Sequence, residues 1–390
     1  MDAIAQKAAR ARSTSRGKDF EVVALVLQGG GALGAYQAGV YEALAKAGVH
    51  PNWIAGISIG AINSALIAGN PVERRVAHLR EFWETVSSPP LGPFGVPYSP
   101  GVQMPGVLHQ LVNQTRALGI ATLGAPGFFK PRFPPPFLLP ETAPGELGLY
   151  DVSPLAATLE RLVDFDLIND GGSRLSVGAV NVSTGNFVYF DSAERRLDVR
   201  HIMASGSLPP GFPATEIDGE FYWDGGIVSN TPLEWVLDTR PRPDVLAFQV
   251  DLWSARGELP RSLVEAEVRR KDIQFSSRTR EATDKLLNAQ RVRRAFQRIY
   301  KALPKALKET EDAKFLAEQA DDAVCNVVQL IYHAQSYEGT AKDYEFSRRT
   351  MEEHWRAGFD AASAALSHGA IFEHPSNPEG FQVFDFSAER

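Results

Sequence analysis

The chain has 390 residues, room for a large core and two or three domains. Its 44% apolar and 22% charged residues are those of an ordinary globular protein, and a net charge of −7 excludes general nucleic-acid binding through a basic surface. A single cysteine, Cys325, excludes an intramolecular disulfide framework and fits a reducing compartment.

Residues 1–20 read as a polar, basic tail without the apolar stretch of a signal peptide. No run of roughly 18 apolar residues predicts a membrane-spanning helix, and a cytoplasmic protein is expected. The first regular element is Val22–Leu27, an apolar run bounded by turn residues, as in a strand buried on both faces. From Ala35 to Ala47 the spacing turns helical, with Tyr36, Val40 and Leu44 on one face and Gly48 as the cap. Trp53–Ile57 is a second strand and Ile59–Gly69 a helix of small residues. Strands alternating with helices at this spacing imply an α/β fold on a parallel sheet.

The character changes in 89–144, which holds half of the chain's 26 prolines interleaved with Phe94, Phe128, Phe129, Phe133 and Phe137. Proline breaks regular ladders while the aromatics resist disorder, so this insertion reads either as an irregular connection or as an apolar flap over a pocket. Leu175–Val182 and Asn186–Phe190 flank a Ser183-Thr184-Gly185 turn, and Thr215–Ile217 and Glu220–Trp223 flank Asp218-Gly219, predicting two hairpins. Val245–Val250 is another buried strand. The catalytic body is placed at 21–255 and a mostly helical extension at 256–390, with Asn326–Tyr332 as an apolar run within it.

Two glycine-rich turns carry the chemistry. Gln28-Gly29-Gly30-Gly31-Ala32-Leu33-Gly34 follows the first strand and presents bare N–H groups. It also fits a dinucleotide fingerprint, but that site needs an acidic residue at the end of the next strand, and no Asp or Glu occurs from Val49 to Ser58. Gly56-Ile57-Ser58-Ile59-Gly60 has the spacing and strand–helix context of a nucleophile elbow. The helix that follows adds positive potential where oxyanion charge develops.

The serine needs a base. Of eight histidines the best placed is His333, after the Asn326–Tyr332 run, and none lies in a glycine-rich loop. Asp224 is the better candidate: it ends a hairpin strand, and Gly225-Gly226 turn the chain away to leave its carboxylate at an exposed rim. Thr231 as N-cap, Pro232 at the first helical position and Glu234 two further on predict a capped helix that stiffens this edge. No cluster of residues has metal-ligand spacing, and no metal or cofactor is expected.

The blocks Gly29-Gly30-Gly31-Ala32-x-Gly34, Gly56-Ile57-Ser58-Ile59-Gly60 and Asp224-Gly225-Gly226, in this order, resemble the patatin-like phospholipases. Ala204–Pro210 and Asn230-Thr231-Pro232 are similar to that family's segment around its aspartate, and the helical extension resembles one found in a bacterial branch. The resemblance implies a central, mostly parallel sheet between helices and a Ser–Asp dyad. Carried over by position, Ser58 is the nucleophile, Asp224 the base and Gly29, Gly30 and Gly31 the oxyanion hole. Leu33 departs from the family, which usually has Arg or Lys there, and this weakens the case for an anionic headgroup.

The expected activity is hydrolysis of lipid carboxylic esters through an acyl-enzyme, with a small ester or storage polyester as the alternative substrate. A reading of another class is a weakly active protein that docks on an anionic membrane or lipid-granule surface. It rests on Arg261–Lys308, where fourteen Lys and Arg face five Asp and Glu around Leu263, Val264, Val268, Leu286, Leu287, Phe296 and Ile299.

Overall fold

Apolar runs bounded by turn residues form the strands of one large sheet. The computed structural model describes residues 17, 19–87, 106–136, 143–276, 279–334 and 338–386, with the backbone alone for 106–113, 279–282 and 340. In chain order the strands are β1 (Val22–Leu27), β2 (Trp53–Ile57), β3 (Lys130–Pro131), β4 (Tyr150–Asp151), β5 (Arg174–Asn181), β6 (Phe187–Asp191), β7 (Thr215–Ile217), β8 (Glu220–Asp224), β9 (Val245–Asp251), β10 (Cys325–Ile331) and β11 (Phe381–Asp385). All but β3 and β4 belong to a nine-stranded sheet of order β11-β10-β9-β1-β2-β5-β8-β7, with β6 also paired to β5. Pairing is parallel from β11 through β5, and antiparallel where β6, β7 and β8 join.

The two-residue period of a strand explains the layers. From β1, Leu25 and Leu27 enter one core with the helices Ala35–Lys46, Ile59–Ala68 and Arg348–Leu366. Ala24 and Val26 enter a second core, on the opposite face, with Leu233, Val236 and Leu286. Burial on both faces is why this strand reads as an unbroken apolar run. Both predicted hairpins form, β5–β6 and β7–β8.

The extension is mainly helical, as its composition predicts, but Cys325–Ile331 is a strand, and β10 and β11 continue the sheet from β9. The sheet therefore crosses residue 255 without a break. Its long helix Arg348–Leu366 lies against Ala35–Lys46 at a close crossing, where a Cβ on Gly39 would strike the Trp355 carbonyl and one on Gly358 the Tyr36 carbonyl. In the Pro/Phe-rich insertion, the proline-free stretch between Pro105 and Pro126 holds the helix Gly106–Leu123. Residues 89–105 and 137–142 of that insertion, including Phe94 and Phe137, lie outside the described residues, as does almost all of the 1–20 tail.

One local expectation fails. The helix after Asp224 spans Leu233–Leu237, begins later than predicted, and has Pro232 as an N-cap without a side-chain bond. The Thr231 hydroxyl instead accepts from Gln28 Nε2 at 3.1 Å, so a long-range contact wins over the local cap.

Candidate active site

Ser58 sits between β2 and the Ile59–Ala68 helix with φ 56° and ψ −124°, a conformation that costs a side-chain-bearing residue energy and marks a strained elbow. The flanking glycines allow the bend: a Cβ on Gly56 would strike the Gly60 carbonyl, and one on Gly60 the Leu27 carbonyl. The Ser58 N–H is spent on Ser205, donating to its carbonyl and to its Oγ, each at 3.1 Å. Ser205 Oγ in turn donates to the Gly178 carbonyl at 2.6 Å, tying the elbow to β5.

Asp224 ends β8, where it pairs with Ala179 of β5. The sequence predicts an exposed rim carboxylate; the structure corrects this, since Asp224 is 1% exposed and forms part of a cavity wall. Burial pushes its carboxyl up to about 6, while the Ser58 hydroxyl and the Gly226 N–H, both donating to it, draw it partly back. The Gly226 bond measures 2.7 Å. A desolvated carboxylate with no cation beside it disfavours its charged form, which is the sense of this rise.

The glycine loop lies against both groups, and its first member is a further correction. The Gly29 N–H donates to Asn230 Oδ1 at 3.1 Å, so it is not open toward a substrate. Asn230 Nδ2 returns a bond to the Gly29 carbonyl at 3.1 Å and gives another to the Phe275 carbonyl at 3.0 Å. Trp253 Nε1 also donates to the Gly29 carbonyl, at 2.9 Å. Among the described residues, the Gly30 and Gly31 N–H groups meet no acceptor, and both glycines line the cavity. Asn230 was visible to sequence reasoning only within the family-like Asn230-Thr231-Pro232 stretch, because its partners are about 200 residues away or supplied by the extension.

The cavity that joins Ser58, Asp224 and the glycine loop has a volume of about 630 Å³. Its walls include Ile59, Ile62, Leu155, Phe128, Phe129 and Phe346. Phe128 and Phe129 come from the Pro/Phe-rich insertion and are buried in ring contact with each other and with Phe212 and Phe346. This part of the insertion is thus packed on the domain and supplies part of the cavity wall. Among the described lining residues the acidic ones are Asp224 and Asp343, the latter paired with Lys271 at 3.0 Å. Leu33, where a cation is usual in the family, is fully buried in the core and absent from the cavity wall.

His333 is exposed, and no histidine is among the described residues that line the cavity. In the basic segment, Leu263 is 91% exposed but Leu286 is buried in the second core. Several of its cations are paired with carboxylates of this chain: Arg270 with Glu267, Lys271 with Asp343, Arg291 with Glu379, Arg293 with Asp238 and Lys301 with Asp322. Among the described residues no helix is long and apolar enough to cross a membrane.

A mostly parallel sheet, a strained serine at a strand–helix elbow, a buried carboxylate beside it and an apolar cavity define an α/β fold with an elbow of the serine-hydrolase kind. The chain belongs to the patatin-like phospholipases: that family's sequence profile matches residues 25–237, more than half of the chain, and a second profile, described as patatin phospholipase, matches 273–378. Among solved structures, the chain is similar to VipD from Legionella pneumophila at 13% identity, over 95% of this chain and 72% of that one, with a TM-score of 0.40. It is also similar to human GIVD cytosolic phospholipase A2 at 19% identity, over 49% of this chain and 24% of that one, with a TM-score of 0.22. No curated protein matches.

Proposed function

We propose that this protein hydrolyses long-chain carboxylic esters of lipids at Ser58, with Asp224 as the base and the Gly30 and Gly31 N–H groups as oxyanion donors. The observation that carries the reading is Asp224, buried and accepting from the Ser58 hydroxyl, with burial raising its pKa to about 6. A carboxylate of ordinary pKa, about 4, is a weak base toward a hydroxyl; one near 6 is better matched and still ionised at neutral pH.

In the acylation step, Ser58 Oγ attacks the ester carbonyl carbon and its proton passes to Asp224. The carbonyl oxygen becomes an oxyanion against the glycine loop, where each aimed donor is worth about 10²–10³ in rate. Collapse breaks the ester bond, the departing alcohol takes the proton from Asp224, and the acyl group stays on Ser58. Water then gives a proton to Asp224 as it attacks the acyl carbon, the fatty acid leaves, and Ser58 recovers its proton. The apolar wall favours an acyl chain.

The test is a panel of p-nitrophenyl esters of increasing chain length, followed by phosphatidylcholine, triacylglycerol and a storage polyester. The reading expects kcat/KM to rise with chain length and the Ser58→Ala variant to be inactive throughout. A preference for acetyl over decanoyl esters, or an active Ser58→Ala, contradicts it.

A further inference from the structure

The segment 338–346 of the extension crosses the mouth of the glycine loop, and its contacts are those of a latch. Ala32 N–H donates to the Asp343 carbonyl at 2.8 Å, and Gly31, with φ 56°, comes so close to that carbonyl oxygen that a Cβ would collide with it. The segment is cross-braced to the Leu263–Phe275 helix by two ion pairs in opposite sense. Lys342 meets Asp272 at 2.6 Å, and Lys271 meets Asp343 at 3.0 Å. The inner cation is buried, its side chain 3% exposed, and lies 4.9 Å from the centroid of the Trp253 ring. That indole is the one that donates to the Gly29 carbonyl, and the braced helix ends at Phe275, whose carbonyl is held by Asn230. Both ends of the segment are anchored in protein: Glu338 is buried against Tyr332 and His354, and Glu345 accepts from the Ser347 N–H and Oγ at 3.1 and 3.0 Å.

These braces reach residues 29–32 through the Asp343 carbonyl, the Trp253 indole and Asn230. A loop of consecutive glycines has many backbone conformations available, and holding two N–H groups toward one point costs entropy unless neighbouring peptides are fixed. We infer that Lys342 is a positioning residue for hydrolysis: paired with Asp272, it holds the Asp343 carbonyl and the Trp253 indole so that the Gly30 and Gly31 N–H groups stay aimed at the oxyanion. The extension thus completes the site rather than merely covering it. Lys342 does not line the cavity, so substrate binding is not what it serves. The inference rests on the proposed role of the glycine loop.

The test compares wild type, Lys342→Met, Asp272→Asn and the double variant in the full chain, with decanoyl ester kinetics, the rate of Ser58 labelling by a fluorophosphonate, and the thermal midpoint. A misaimed loop costs the transition state more than the ground state. Each single variant should therefore lose about 10–100-fold in kcat and in labelling rate, with KM within about threefold of wild type. The double variant should be no worse than the singles, since each breaks the same pair. Folded variants with wild-type kcat and labelling rate overturn the inference, as does a defect confined to KM. If Lys342→Met does not fold, Lys271→Ala, in the half-buried outer pair, reads the same latch: a kcat loss of about 3–10-fold is expected, and no loss overturns it. A fully active Ser58→Ala in the same series brings down the site reading and this inference together; an inactive one beside a normal Lys342→Met brings down only the latch.

Discussion

Replacing Asp224 by asparagine should abolish hydrolysis and, above pH 6, stabilise the fold. Burial raises this carboxyl from 3.8 to about 6, so the folded chain holds the proton more tightly than the unfolded chain. The ionised form therefore weakens the fold: the cost is absent below about pH 4, grows between about 4 and 6, and is complete above that. A gap of about two pH units at roughly 1.4 kcal/mol each makes it about 3 kcal/mol. Asparagine keeps an oxygen to accept from the Gly226 N–H and carries no charge to desolvate. Urea unfolding followed by tryptophan fluorescence, on wild type and Asp224→Asn at pH 4 and pH 7.5, isolates the effect from any pH-independent change in packing. The stability gain of the variant should be larger at pH 7.5 by about 3 kcal/mol. A gain or loss that is the same at both pH values refutes the desolvated carboxylate, and with it the reason for choosing Asp224 as the base.

The same raised carboxyl predicts that kcat/KM falls on the acid side with a midpoint near pH 6, and stopped assays from pH 4.5 to 8 locate it; a limb near pH 4 contradicts the assignment. Ser58→Gly should be inactive yet gain stability, since glycine removes roughly 1–3 kcal/mol of elbow strain against about 0.5–1 kcal/mol of added chain entropy. Ser58→Ala keeps the strain, so thermal scans should separate the two. Gly358→Ala forces a methyl onto the Tyr36 carbonyl and should lower stability by about 1–3 kcal/mol in urea titration; an unchanged midpoint would mean the helix crossing yields freely.

Much of the fold and the heart of the site can be read in the chain, and the failures have identifiable causes. β1 and β2 are legible because burial on both faces leaves unbroken apolar runs, and the Ser58 elbow because only glycine tolerates the approach of the Gly60 and Leu27 carbonyls. Asp224 is legible as a residue but not as a buried one, since desolvation comes from β5, the elbow and the cavity walls together. Gly29 reads as an open donor because a run of glycines does not say which N–H groups tertiary partners occupy, and the partner that takes it, Asn230, is two hundred residues away. The Thr231 cap failed for a like reason, as its hydroxyl is taken by Gln28. The membership of β10 and β11 in the central sheet depends on pairing with β9, a long-range choice that no local period records. Leu33, where the family usually has a cation, is packed in the core, and sequence position alone does not say which way a side chain of this loop turns.

The central claim is that an acyl group passes through Ser58. Rapid mixing with a p-nitrophenyl decanoate burst, an acid quench and peptide mass spectrometry measures this directly. The account predicts one decanoyl adduct, on the peptide that carries Ser58, in wild type and none in Ser58→Ala. Steady turnover with Ser58 unmodified, or an adduct on another residue such as His333, would contradict it.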